Sequence, residues 1–257
     1  DGATAAYPIY ASAFYALSVI PEDFHVWDYL DNSRTQEAYN KIVNGDADII
    51  FVAQPSDGQK KRAEKSGVTL LYTPFAREAF VFIVNADNPV NSLTEQQVRD
   101  IFSGAITNWR TVGGNDQEIQ TWQRPEDSGS QTVMQSQVMK NVRMISPQET
   151  EVASMMEGMI KVVAEYRNTN NAIGYTFRYY ATQMNADKNI KLLAINGIAP
   201  TAENIRNGKY PYVVDAFMVT RDNMTSETQK LVEWFLTPQG QSLVEDVGYV
   251  PLYPTMK

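Results

Sequence analysis

Two long apolar segments, residues 78–85 and 212–219, constrain the fold of this chain more than any other feature of its sequence. Each has the length and the nearly continuous hydrophobicity of a β-strand that is covered on both faces. A large block of other helix and strand patterns separates them along the chain. If both segments are crossovers, the chain builds one lobe, crosses into a second lobe and returns once. We therefore predict lobe 1 from residues 1–79 and 217–257, lobe 2 from residues 80–216, and a hinge with a cleft between them.

The rest of the chain alternates between helix and strand patterns. Apolar residues recur at helical spacing, and Thr94 and Gln97 have the spacing of a capping box, with Gly104 beyond the end of that helix. The predicted helices are 5–19, 35–44, a polar helix that follows the loop 54–58 and ends at Gly67, 94–102, a segment through about 140, 149–165, 226–236 and 238–246. The predicted strands are 47–53, 68–73, 78–85, 118–122, 172–175, 190–194 and 212–219. This alternation is typical of an α/β fold with mostly parallel sheets.

Composition excludes several classes of function. The 257 residues contain no cysteine and one histidine, His25, so thiolate metal sites, thiol nucleophiles and multi-histidine zinc sites within one chain are excluded. We expect no metal and no cofactor, and we expect His25 to be structural. The formal net charge of −8 argues against nucleic acid as a partner, because binding to a phosphate backbone needs clustered Lys and Arg. No stretch of 18 apolar residues is present, so no membrane span is predicted.

Three loops rich in small and hydroxyl residues stand directly before predicted helices: residues 2–4, 32–35 and 126–130. Each offers unpaired backbone N–H groups and a positive helix end, which are the features of an anion site. Arg34 and Arg124 stand beside two of the loops, and a guanidinium can bind two oxyanion oxygens at once. Taken alone, each loop is better explained as an ordinary helix N-cap. Together they predict a site for a small oxyanion.

A resemblance to a known family sharpens this prediction. The segments Ile101–Trp109 and Arg124–Thr132 resemble the phosphate-binding proteins of bacterial ABC importers, and so do Gly45–Phe51 and Gly248–Leu252. The resemblance implies a two-lobed fold of the periplasmic-binding-protein type 2 class, a monomer, and capture of inorganic phosphate for a membrane permease. It also implies an extracytoplasmic location. The turn-like start at Gly2, with no strand before it, and the lack of cysteine lead us to expect a removed leader and a lipid anchor outside these residues.

The resemblance also assigns site residues. It implies that phosphate contacts Thr4, the backbone N–H of Ala5, and the turn formed by Arg34 and Thr35. The family loop matches this chain at Arg124, Glu126, Ser128, Gly129 and Ser130. Glu126 stands where the family often has Asp, and Ser130 stands where it often has Thr.

A third departure concerns the proton acceptor of the site. Well-studied members have a carboxylate after the strand that ends here at Ala53, whereas this chain has Gln54. A buried acceptor distinguishes protonated phosphate from sulfate, because sulfate carries no proton at neutral pH. We expect phosphate to remain the ligand, with Gln54 as a weaker acceptor, while Asp57 or Glu126 are the alternative sources of a carboxylate.

Other functions stay open at this point. A sensor or adhesion module that keeps the same fold without serving a transporter has no distinguishing motif. The carboxylates of Asp57, Glu126 and Asp127 are compatible with a phosphoester hydrolase, but neither an activated nucleophile nor a metal-binding set accompanies them. We therefore expect a binding protein and no enzyme. Tyr175, after a short predicted strand, is a candidate for the ligand mouth.

Overall fold

The computed structural model describes residues 1–19, 29–140, 142–147, 152–153, 156–165 and 171–256. His25 lies outside the described residues, and so do residues 149–151 and 154–155 of the predicted helix 149–165. The prediction of a helix is wrong at Val152, which forms a parallel bridge with Gln123. The chain forms two compact units. The first contains Asp1–Glu78, Asp127–Gly129 and Val214–Lys257, and the second contains Ala79–Glu126 and Ser130–Val213.

Most predicted helices are present, with bounds close to those expected from the sequence. The α-helices are α1 Tyr7–Leu17, α2 Arg34–Asn44, α3 Asp57–Lys65, α4 Glu95–Ser103, α5 Gly129–Val133, α6 Met156–Glu165, α7 Ala202–Arg206, α8 Ser226–Leu236 and α9 Pro238–Val247. Short 3-10 helices cover Thr4–Ala6 and Trp109–Val112, and π-helical turns cover Met134–Met139 and Tyr180–Met184. The predicted capping box of α4 is confirmed, because Thr94 accepts from the N–H of Gln97 at 3.1 Å and Gln97 accepts from that of Thr94 at 2.8 Å. Helix α7 was not expected from the sequence.

The strands are β1 Ile49–Val52, β2 Leu70–Asn85, β3 Ser92–Leu93, β4 Gln120–Thr121, β5 Ala172–Phe177, β6 Ile190–Leu192, β7 Ala194–Ile195, β8 Val213–Arg221 and β9 Val250–Pro251. The prediction of separate strands at 68–73 and 78–85 is wrong, because β2 runs through Pro74 as one strand of 16 residues. The chain passes from the first unit to the second inside β2, after Glu78, and returns inside β8, after Val213.

The prediction of mostly parallel sheets is wrong. In the first unit β1 pairs antiparallel with β8, and β9 pairs antiparallel with β2. In the second unit β5 and β6 both pair antiparallel with β2, whereas the pairs β3 with β7 and β4 with β5 are parallel. A continuous apolar run shows that a strand is buried on both faces, but it carries no information on the direction of the neighbouring strand. The mixed α/β class is confirmed.

Each unit has its own core. In the first, Ala38, Tyr39 and Ile42 on one face of α2 pack against Ile50 and Val52 of β1. In the second, an aromatic cluster joins β2, α4 and β5. Its rings belong to Phe80, Phe82, Phe102 and Tyr175, with centroids 5.4 to 6.5 Å apart. None of the helices among the described residues has the length and apolar character needed to cross a bilayer.

Candidate functional site

The first predicted loop is held against β1 by backbone pairing. Gly2 forms a parallel bridge with Phe51, and the N–H of Ala3 donates to the carbonyl of Phe51 at 2.9 Å. A Cβ atom on Gly2 would lie 2.5 Å from that carbonyl oxygen, so only glycine allows this approach. Gly2 and Ala3, which the sequence indicates as part of a simple turn, are therefore paired with β1. Thr4 follows directly after these paired residues.

Thr4 is the first residue of the 3-10 helix, and Ala3 takes the N-cap position without a side-chain bond. Ala5 is buried, and its carbonyl accepts a hydrogen bond from the hydroxyl of Tyr249. Tyr249 belongs to the closing segment Gly248–Leu252 that carried part of the family resemblance. The end of the chain thus fixes the backbone at the start of α1.

The second predicted loop leads into α2. Arg34 is exposed and has a left-handed backbone with φ 71°, whereas Thr35, next to it, is buried. The N-cap residue Ser33 does not cap the helix with its side chain. Its hydroxyl and its N–H both bind the carboxylate of Asp1, the latter at 2.9 Å. The first N–H groups of a helix have no partner within the helix, so the start of α2 retains donors for another acceptor.

Gly129 of the third predicted loop lies against the second loop. A Cβ atom on Gly129 would be 3.1 Å from Oγ1 of Thr35 and 3.4 Å from Cβ of Ala53. The structure thus brings together Thr35 and Gly129, two of the predicted ligands. Gln54 follows Ala53 and is half-buried between β1 and α3. Ser128 is also half-buried.

Arg124 is positioned within the second unit by three groups. The residue is 8% exposed, and its Nη1 donates to the carbonyl of Ala153 at 2.7 Å. Its backbone N–H donates to Oε1 of Gln131 at 3.2 Å and to the hydroxyl oxygen of Tyr175 at 3.1 Å. Because the backbone and one guanidinium nitrogen are both fixed, the side chain has little freedom to leave its place. Glu126, two residues later, is exposed.

Tyr175 is completely buried, so it does not line an open mouth as the sequence suggested. Burial raises the pKa of its phenol above the usual value, which keeps the hydroxyl protonated at neutral pH. The neutral hydroxyl donates to Oε1 of Gln131 while its oxygen accepts from the N–H of Arg124. Tyr175 therefore stabilises the position of the Arg124 backbone and of the Gln131 side chain.

Ser130 is the most distinctive residue of the third loop. It is 0% exposed, and its hydroxyl has no hydrogen-bond partner among the residues that the structure describes. It is the second residue of α5, which continues into the π-helical turn Met134–Met139. Buried hydroxyl groups nearly always have a partner, so this one is suited to a ligand. A hydroxyl and the N–H groups of a helix start are neutral donors of the kind that bind small anions.

Comparison with protein families identifies the chain. A family model described as the PBP superfamily domain matches residues 1–239. The chain belongs to the PBP superfamily. The predicted resemblance and fold class are thereby confirmed.

Two relatives that the chain resembles in sequence are both named phosphate-binding protein PstS. The chain is 29% identical over 170 residues to the phosphate-binding protein PstS of Bacillus subtilis strain 168, an alignment that covers 66% of this chain and 53% of that protein. It is 26% identical over 227 residues to the protein of the same name from Staphylococcus epidermidis, with 84% and 67% covered. The chain therefore spans about half the length of the Bacillus relative.

Solved structures show the same fold. An ABC-type phosphate transport receptor from Vibrio cholerae superposes with a TM-score of 0.68 at 22% identity, covering 97% of both chains. A candidate phosphate ABC transporter substrate-binding protein from Clostridium perfringens, solved with bound phosphate, superposes with a TM-score of 0.75 at 22% identity, covering 98% of this chain and 97% of that one.

Sequence reasoning did not find the residues that support the loops of this PBP-superfamily chain. Gln131 and Gln59 are both buried, and each binds a neighbouring loop through its amide. Gln59 has a readable signal, because it stands three residues after Ser56 and forms a capping box with it. Gln131 has none beyond being a polar residue in the first turn of a helix that is otherwise buried.

Proposed function

We propose that this chain is an extracytoplasmic solute-binding protein that captures inorganic phosphate for delivery to the permease of an ABC importer. Membership of the PBP superfamily and the names of its relatives support this proposal. The proposed ligands are the nine residues that the resemblance assigns, together with Gln54. In the first unit they are Thr4, Ala5, Arg34, Thr35, Gln54, Ser128 and Gly129, and in the second unit they are Arg124, Glu126 and Ser130.

The observation that carries the proposal is the hydroxyl of Ser130. A fully buried hydroxyl without a partner among the described residues loses free energy unless a ligand binds it. It follows Arg124 by six residues, and Arg124 is a buried cation whose position is fixed by Ala153, Gln131 and Tyr175. A neutral donor and a fixed guanidinium in the same loop favour an anion with several oxygens over a neutral ligand.

Substitution of Ser130 by alanine tests this assignment. We expect Ser130→Ala to weaken phosphate binding by about 10- to 100-fold, because a hydrogen bond to a charged group is lost. The thermal unfolding midpoint of the ligand-free protein should not fall, since the removed hydroxyl has no described partner to lose. Calorimetric titration with phosphate and thermal unfolding measure the two effects.

Ser136→Ala is the matched control for this experiment. Ser136 lies on the same helical segment, and its hydroxyl donates to the carbonyl of Thr132 at 2.7 Å. Its removal should leave the phosphate affinity unchanged. A Ser130→Ala protein that binds phosphate as tightly as the wild type would remove Ser130 from the site.

Differences in burial favour one of the possible proton acceptors over the others. The side chain of Asp57 is 89% exposed and lies 3.7 Å from Nζ of Lys60, and Glu126 is exposed as well. Neither side chain has the burial that makes an acceptor selective. Gln54 is half-buried, so we propose its amide oxygen as the acceptor of a phosphate proton.

Competition between phosphate and sulfate tests the role of Gln54. An amide can turn its NH₂ group toward sulfate, whereas a carboxylate cannot, so we expect the wild type to prefer phosphate modestly and Gln54→Glu to prefer it by about tenfold more. Asp57→Asn should leave the ratio of affinities unchanged. Calorimetric titration with phosphate in excess sulfate measures this ratio. Equal affinities of the wild type for the two anions would contradict the proposed discrimination.

A further inference from the structure

Asp127 has an unusual backbone conformation in the middle of the third loop. Its φ is 64°, in the left-handed region that residues with a Cβ atom rarely adopt. The short segment Asp127–Gly129 belongs to the first unit, whereas the residues before and after it belong to the second. A strained residue in a short segment indicates that specific contacts hold it there.

The side chain of Asp127 contacts the start of α3. Its Oδ1 accepts a hydrogen bond from the hydroxyl of Ser56, the N-cap of that helix. A Cβ atom on Gly58 would lie 3.3 Å from Oδ1 and 3.6 Å from Oδ2, so the carboxylate sits directly over the first turn. A carboxylate at this position is stabilised by the positive end of the helix.

The backbone of Asp127 is bound as well. Its carbonyl accepts from Nε2 of Gln59 at 3.1 Å, and the same nitrogen donates to Oε1 of Gln36 on α2 at 2.9 Å. Gln59 is 2% exposed, so these bonds are shielded from water. Asp127 is therefore attached to α3 directly and to α2 through Gln59.

Two residues later, Gly129 lies within contact distance of Thr35 and Ala53. We propose that Asp127 is a positioning residue of the anion site: its bonds to Ser56 and Gln59 place Ser128 and Gly129 beside Thr35. This proposal rests on the phosphate-binding function proposed above. It assigns a role to a carboxylate that the family resemblance leaves without one, and it explains why an acidic residue is tolerated within an anion-binding loop.

Whether Asp127→Ala binds phosphate more weakly or more strongly than the wild type distinguishes a positioning role from charge repulsion. A negative charge repels phosphate, so its removal alone strengthens binding. If Asp127 acts by positioning, Asp127→Ala instead weakens phosphate binding by about tenfold or more, because the loop loses its attachment and must be ordered on binding. Asp127→Asn recovers most of this loss, since its Oδ1 still accepts from Ser56.

Ser56→Ala and Thr94→Ala form a matched pair of variants. Both residues cap a helix through a box with glutamine, and each hydroxyl accepts from the backbone N–H of its glutamine at 3.1 Å. Both variants therefore lose similar capping contributions to stability. Only Ser56→Ala should weaken phosphate binding, and the double variant with Asp127→Ala should bind no more weakly than the weaker single variant.

Hydrogen exchange in the ligand-free protein gives a readout that does not depend on phosphate. The amides of residues 127–130 should exchange faster in Asp127→Ala and Ser56→Ala, but not in Thr94→Ala. If exchange is faster in these two variants but the wild type does not bind phosphate, the proposed function is overturned. The attachment of the loop through Asp127 is then still supported. Unchanged exchange, or an Asp127→Ala protein that binds phosphate as tightly as the wild type or more tightly, would overturn the positioning role. A lower phosphate-to-sulfate ratio in both Asp127 variants would also overturn it, because Asp127 would then be a direct ligand.

Discussion

Replacement of Arg124 by alanine should weaken phosphate binding by roughly 3 kcal/mol, or about 100-fold. Arg124 is buried and its Nη1 is held at 2.7 Å from the carbonyl of Ala153, so its charge is presented with little loss of side-chain entropy on binding. Arg124→Lys should lose about tenfold, because lysine keeps the charge but lacks the planar fork that binds two oxygens. Calorimetric titration of both variants measures the difference.

The control for net charge is Arg110→Ala in the same unit. Arg110 is largely exposed and pairs with Asp116 at 3.2 Å, so its removal changes the protein charge by the same amount. Because the whole chain carries a charge of −8, we expect local donors, and not the overall field, to attract the anion. Arg110→Ala should bind phosphate normally. A phosphate affinity of Arg124→Ala within threefold of the wild type would contradict the role of this residue.

The local elements of this fold could be predicted because their signals lie within a few residues. Gly45 and Gly104 mark the ends of α2 and α4, and both have the left-handed backbone expected at such positions, with φ 91° and 82°. The capping box at Thr94 marks the start of α4 in the same way. Each of these signals depends on a single turn of chain, so the rest of the protein does not change it.

The direction of the strands and the support of the site depend on residues far apart in sequence. The N–H of Arg124 donates to the hydroxyl oxygen of Tyr175, 51 residues away. The carbonyl of Ala5 accepts from the hydroxyl of Tyr249, 244 residues away. No spacing rule connects such pairs. The sequence predicted which loops carry hydroxyl groups and arginine, whereas the groups that hold these loops in place became visible only in the structure.

Asp127 illustrates the same limit, because its partner Ser56 lies 71 residues away in the sequence. Together with Asp57 and Glu126, it is one of three carboxylates that the sequence leaves compatible with a phosphoester hydrolase. In the structure its carboxylate accepts a hydrogen bond from Ser56 at the start of α3. The sequence shows that Asp127 carries a carboxylate, but it does not indicate that this carboxylate binds Ser56.

The second large effect concerns the stability of the first unit. A Cβ atom on Gly240 would lie 2.3 Å from the carbonyl oxygen of Trp234 and 2.6 Å from Cα of Phe235, which are backbone atoms of α8. Backbone atoms cannot rotate away as a side chain can, so α8 and α9 must separate. We expect Gly240→Ala to lower the free energy of unfolding by about 3 kcal/mol or more.

The neighbouring residue Gln241 increases this effect. It is completely buried, its Nε2 donates to the carbonyls of Phe75 and Phe235 at 2.9 and 2.7 Å, and its Oε1 accepts from the N–H groups of Leu252 and Tyr253 at 2.8 and 2.9 Å. A shift of α9 strains all four bonds at once, and buried polar groups that lose their partners cost free energy. At about 2 to 4 °C per kcal/mol for a chain of this size, the unfolding midpoint should fall by roughly 6 to 12 °C.

Gly158→Ala makes the same chemical change within α6, where no atom of the described residues outside the helix's own backbone lies within 4 Å of the added Cβ. Because alanine has the higher helix propensity, this variant should be as stable as the wild type or more stable by up to about 1 kcal/mol. Thermal unfolding of the two variants side by side separates steric contact from propensity. Equal unfolding midpoints of Gly240→Ala and Gly158→Ala would contradict the prediction, because α8 and α9 would then have moved apart without loss of stability.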